Sequence, residues 1–151
     1  MHDRRLKPNN MKTPLFIFLA LLTFSEAQAQ EAKPTADLSQ KQEEITIPTT
    51  LAEAHTKLER LLPKEELAKI DAMKTEDEMI KYHFSLGMSL RNSWGLWGDS
   101  PIAKHMRSLG FTHPDDMSSV ILKTFWCKRH GEDFRIKERV AYYKEYWRAN
   151  P

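Results

Sequence analysis

Residues Met79 to Gly95 read MIKYHFSLGMSLRNSWG, and the way their apolar side chains recur decides the fold class. Set at the α-helical advance of about 100° per residue, Leu86, Met79, Leu90, His83, Trp94, Gly87, Ile80, Arg91 and Phe84 follow one another across one half of the wheel. Ser85, Ser89 and Asn92 fall on the other half. This is the pattern of an amphipathic helix, and it carries two anomalies. His83 lies inside the apolar stripe between Leu90 and Trp94, and Arg91 lies in the same stripe beside Gly87 and Ile80. A guanidinium withdrawn from water has to be paired, because removing the partner of a buried charge costs about 3–5 kcal/mol. The chain offers Asp115 or Asp116 for this purpose. Gly87 in mid-helix costs about 1 kcal/mol against alanine, which implies close approach by a neighbouring helix or by a ligand.

Outward from this stretch the helical period continues. Thr50 is placed to cap a helix with Glu53 reaching back, and Leu51, Ala54, Leu58, Leu61 and Leu62 form its apolar stripe up to Pro63. A short helix over 64–72 presents Leu67 and Ile70. Thr75 with Glu78 repeats the capping pattern and opens a helix predicted to run unbroken to about Ser93. Gly95-Leu96-Trp97-Gly98 turns the chain, and Ser100-Pro101 starts a helix that ends at Gly110. Pro114 opens the next, closed by Gly131, and the last, from about Ile136 to Arg148, puts Ile136, Val140, Tyr143 and Trp147 on one face. No strand-type alternation and no Asn-Gly hairpin interrupts the pattern. The expected fold is all-α, a compact single domain of five to six helices over residues 46–151.

Two segments precede that domain. Residues 11–29, MKTPLFIFLALLTFSEAQA, combine Lys12, an apolar run from Leu15 to Phe24 and the small-x-small ending Ala27-Gln28-Ala29. Residues 1–29 therefore read as a signal peptide cleaved after Ala29, and the expected location is exported, periplasmic or secreted. The apolar run is about ten residues where a membrane span takes about twenty, so no stable membrane span is expected after cleavage. Residues 30–45, QEAKPTADLSQKQEEI, read as a flexible polar linker. The chain holds 23 basic and 21 acidic side chains. The leader accounts for Arg4, Arg5, Lys7 and Lys12 against Asp3 and Glu26, leaving nineteen of each sign. A formally neutral domain argues against nucleic acid as partner. The single cysteine, Cys127, excludes an internal disulfide and reads as a small buried residue or a free thiol.

The residues that could carry chemistry are few. His113-Pro114-Asp115-Asp116 suits acid/base work or a divalent ion. It suits the start of a helix better, since proline favours the first position and carboxylates favour the first turn. No His-x-x-x-His or Cys-x-x-Cys pair occurs, so no metal and no cofactor is assigned. Ser118 and Ser119 lack the glycine-flanked elbow of a nucleophile, and Ser118 shares a helix face with Ile121, Leu122 and Phe125, as a small residue at a helix crossing does. The candidate polar centre is therefore His83, Arg91, Asn92, His113, Asp115 and Asp116, and the candidate aromatic contacts are Trp94, Trp97, Tyr142 and Tyr146. Tyr142 and Tyr146 lie off the main stripe of the last helix. They form either an exposed ledge for a glycan, peptide or protein, or one side of a broad packed face.

HFSLGMSLRNSWGLW (83–97) taken with LGFTHPDDMSSVIL (109–122) resembles a family of small bacterial helical proteins described only as a domain of unknown function. The resemblance rests on His83, Leu86, Gly87, Arg91, Asn92 and Trp94 to Trp97, followed by His113 to Ser118, and extends over most of residues 47–148. It implies a helical fold and a shared polar centre, with no established activity. The leading expectation is a non-enzymatic exported module that binds a protein, peptide or envelope component, an immunity-type role included. The alternative is a small hydrolase using His83 and His113 with Asp115 or Asp116, and Arg91 as an anion clamp.

Overall fold

The computed structural model describes residues 46–150; the signal peptide expected over 1–29 and the linker expected over 30–45 lie outside them. Among the described residues the chain forms six α-helices: α1 (Leu51–Leu61), α2 (Lys64–Asp71), α3 (Met88–Ser93), α4 (Pro101–Leu109), α5 (Pro114–His130) and α6 (Ile136–Ala149). None is long and apolar enough to cross a membrane. The domain is all-α, as its periodicity implies.

Local chemistry explains most of the boundaries. Thr50 is extended and its hydroxyl accepts from the Glu53 N–H at 3.2 Å, but the Glu53 carboxylate reaches past it to the backbone and hydroxyl of Thr49, each at 2.7 Å. Ser100 caps α4 by accepting from the Ala103 N–H, with Pro101 in the first turn. Gly110 and Gly131 close α4 and α5 in the left-handed region, at φ 109° and 70°, where a side chain is strained. At Gly110 the space is also taken, since a Cβ would lie 2.9 Å from Cγ1 of Val140 on α6.

Helix α5 is the axis of the core. It buries Met117, Val120, Ile121 and Phe125 completely, and α1 to α4 all pack against it. Leu51, Ala54 and Leu58 of α1 face it, together with a histidine. His55 is 1 % exposed, its Nε2 lies 3.0 Å from the Thr124 hydroxyl, and its ring packs between Phe125 and Phe134. Thr124 donates its own proton to the Val120 carbonyl, so Nε2 of His55 is the donor and Nδ1 is left without a partner. Leu61, expected in the α1 stripe, is exposed, because the helix ends there ahead of Pro63.

The helix expected without a break from Thr75 to Ser93 is three segments. Glu76–Tyr82 is a 3-10 helix, His83–Gly87 is a π-turn, and only Met88–Ser93 is α. Thr75 makes no cap; Glu78 reaches instead to the Lys74 N–H at 2.8 Å. The reason is tertiary. Glu76 is held by residues of α5 and α6, Met79 is buried, and the Tyr82 hydroxyl donates to Glu66 of α2 at 2.9 Å. Anchors at every third residue suit the 3-10 repeat, in which i and i+3 eclipse. The changed twist turns Ile80 and Phe84 out of the stripe, to 65 % and 79 % exposure.

Candidate functional site

The polar centre forms where the π-turn meets the first turn of α5. Arg91 is 5 % exposed. Its Nη1 donates to the Ser118 hydroxyl at 2.8 Å and lies 3.2 Å from Asp115 Oδ1, while Nη2 reaches the His83 carbonyl at 3.5 Å. His83 Nε2 stands 3.5 Å from the same Asp115 oxygen. Ser118 turns its proton to the Asp115 carbonyl at 2.9 Å, leaving its lone pairs to the guanidinium. Gly87 makes this possible: a Cβ there would stand 3.4 Å from Arg91 Nη1, 3.6 Å from Leu122 and 3.3 Å from the Tyr82 carbonyl. The close approach that the sequence implies is that of α5 together with the chain's own arginine.

The other candidates divide. Asp116 turns away from Arg91 and accepts from the Trp147 indole N–H at 2.7 Å. His113 stacks on the Trp147 ring, with centroids 3.6 Å apart. Asn92 stays outside, accepting from Trp97 Nε1 at 3.3 Å on the exposed side of α3, and Trp94 is core. Tyr142 and Tyr146 are exposed, at 64 % and 46 %. They, His83, Asp115 and Asp116 all line one cleft of about 730 Å³, walled by the 3-10 segment on one side and by α6 on the other, with α5 as its floor. Arg91 lies behind that floor, with both terminal nitrogens engaged by the protein.

Charges inside the cleft are mostly paired within it. Lys123 of α5 meets Asp77 at 2.6 Å. Glu76 receives Arg135 at 2.7 Å, Arg139, and the Cys127 thiol at 3.1 Å. Burial works to raise the Glu76 carboxyl, yet Arg139, the thiol and Arg135 together hold it below its usual range. The same burial and the Glu76 charge push the Cys127 thiol up to about 11, so it is a protonated donor and not a nucleophile at neutral pH. Tyr143 is pushed up to about 12 by burial and by the Asp116 charge. Asp116 itself is raised by burial, which the Trp147 hydrogen bond and His113 only partly offset. Among the described residues no three His, Cys, Asp or Glu side chains gather in a metal-holding group.

Ser118, read from the sequence as a small residue at a helix crossing, also accepts from Arg91, and the Glu76 cluster has no place in the sequence reading. Ser118 carries a signal in retrospect: a serine one turn after Asp115 on the face that must meet a buried arginine. Glu76 carries none, since its partners lie 51 to 63 residues along the chain.

No curated protein and no solved structure matches the chain. Residues 47–129 match a family described as a domain of unknown function, DUF6794. The matched stretch contains His83, Arg91, Asp115 and Ser118 and stops short of α6, which the wider resemblance over 47–148 took in. With more than half of its length matched, including the whole arginine centre, the chain belongs to the DUF6794 family.

Proposed function

We propose that this protein is an exported, non-enzymatic module that holds a segment of a partner protein or peptide in the cleft between the 3-10 segment and α6. The observation that carries the reading is the exposure of Ile80, Tyr142 and Tyr146 around a single cleft. Large apolar and aromatic side chains gathered at one recess mark interaction surfaces, and aromatic residues dominate contact energies when a partner covers them. Selection of random hexapeptides displayed against the full chain tests it. Selected peptides are expected to lose most of their binding to a Tyr142→Ser/Tyr146→Ser double variant and to keep it with Trp97→Ala, an exposed aromatic outside the cleft. Equal binding to all three proteins sinks the reading.

A second reading, a hydrolase built on His83 and Asp115, is favoured by the 3.5 Å approach of the two groups at an open cleft. Its anion clamp is missing, because Arg91 is buried and already shared among Asp115, Ser118 and the His83 carbonyl. Turnover of chromogenic esters that His83→Gln abolishes would establish it. Export is tested by fractionation and N-terminal sequencing, with Gln30 expected as the first residue of the processed chain.

A further inference from the structure

Resting on the reading of the cleft as a peptide-holding site, we propose that Asp116 is its anchor for a cationic side chain, the lysine or arginine of the bound segment. Asp116 is more than nine-tenths buried and lines the cleft. One hydrogen bond reaches its carboxylate among the described residues, from the Trp147 indole to Oδ2. A carboxylate has room for about four donors, so Oδ1 is left with unmet capacity at the cleft floor.

Three of the other carboxylates lining the cleft are satisfied by cations of this chain, and the fourth, Glu138 on the α6 wall, is exposed to water and not withdrawn from it as Asp116 is. Asp77 has Lys123, Glu76 has Arg135 and Arg139, and Asp115 has Arg91. The three cations that line the cleft are thereby used up on Asp77 and Glu76. Among the described residues Asp116 has no such ion pair: the groups that act on it are burial and Asp115, which oppose its charge, and Trp147 and His113, which favour it. Its carboxyl is consequently raised, although it sits in the first turn of α5, where the helix end favours an anion. A charge left in this condition is a poor structural element and a good receptor, because an incoming cation meets a desolvated carboxylate at low local dielectric. The wall beside it is aromatic. Tyr142, Tyr143, Tyr146 and Trp147 line the same cleft, and aromatic faces attract guanidinium and ammonium groups.

The same geometry supplies a variant that separates a receptor from a scaffold. Asp116→Asn keeps an oxygen to accept the Trp147 N–H and removes only the charge. A folded-state carboxyl raised above its unfolded value binds its proton more tightly when folded, so stability falls as pH rises through that range. At neutral pH the variant is expected to melt at the same temperature as the parent or higher. Its affinity for a selected lysine- or arginine-containing hexapeptide is expected to fall at least tenfold, and replacing that residue of the peptide by norleucine or citrulline should produce the same fall on the parent protein. Unchanged affinity in Asp116→Asn, or selected peptides that tolerate the neutral replacement, overturns the anchor and leaves the peptide reading standing. If selection yields no peptide, that reading fails. The anchor is then decided by titrating n-butylguanidinium against n-butanol: binding of the cation alone, lost in Asp116→Asn, sustains it, and equal behaviour of the two ligands overturns it.

Discussion

Helix α5 buries ten of its 17 residues, while α6, with 14, buries none. Both carry an apolar stripe and aromatic side chains, so the difference lies in what surrounds them. Helix α5 is enclosed by four other helices, and the charge brought against it, Arg91, meets three oxygens of the protein. Helix α6 lies along one edge, half-burying Ile136, Val140 and Tyr143 against the core and tied to the 3-10 segment through Glu76. The charge that faces it, Asp116, meets one indole. A polar group saturated by its own chain is part of the architecture, and one left half-satisfied at an open cleft is available to something else. The family match covers the saturated side and stops before α6.

The largest effect that could break this contrast is at Arg91. Arg91→Ala strands Ser118 and removes a buried side chain, and a loss of about 3 kcal/mol is expected, read as a lower urea midpoint. Because Asp115 is half-exposed and rehydrates, the loss should sit at the low end of that range. Arg91→Lys should not restore it, since an ammonium cannot span the same three acceptors. A loss below about 1 kcal/mol would place Arg91 with the surface pairs and erase the distinction.

Next in size is the pH dependence set by His55 on the enclosed side. Burial, with a smaller push from Lys128, holds its imidazole down at about 4 against an ordinary 6.5. The folded value lies below the unfolded one, so the folded state binds fewer protons between them. Stability is therefore full above about 6.5 and falls as pH drops toward 4, by roughly 3 kcal/mol at about 1.4 kcal/mol per unit. Melting curves across this window should show the slope in the parent and a much shallower one in His55→Leu. Equal slopes would assign the acid limb elsewhere.

Gly87→Ala probes the contact between the π-turn and α5. Alanine ordinarily gains about 1 kcal/mol over glycine in a helix, but here its methyl group crowds a backbone carbonyl and a guanidinium held in place. A net loss of about 1 kcal/mol is expected by chemical denaturation, and a gain would show that Arg91 has room to move. The smallest effect belongs to α6: Tyr142→Ser should change stability by no more than about 0.5 kcal/mol. A larger fall would mean that the outer wall also holds the fold together.

Where structure follows from neighbours in sequence, the chain states it openly. Ser100-Pro101, Gly110, Pro114 and Gly131 mark helix ends because capping and left-handed backbone are local matters. The need of Arg91 for a carboxylate is legible for the same kind of reason, since a charge inside an apolar stripe admits no other solution. The choice of Asp115 over Asp116 is not, because two adjacent residues of one helix face different directions and only the packed neighbours say which is which. Nor is the break at His83, where anchors on α2, α5 and α6 impose a repeat of three on a stretch whose own pattern suits an α-helix.

Val140 stands in the notch that Gly110 leaves at the end of α4, on a part of α6 that does not line the cleft. The contact of Val140 with the glycine notch therefore sets how closely α6 approaches the end of α4. Val140→Ala and Val140→Ile change the volume at that contact from a position that does not itself line the cleft. The packing of α6 thus depends on a residue that a view of the cleft alone does not reveal.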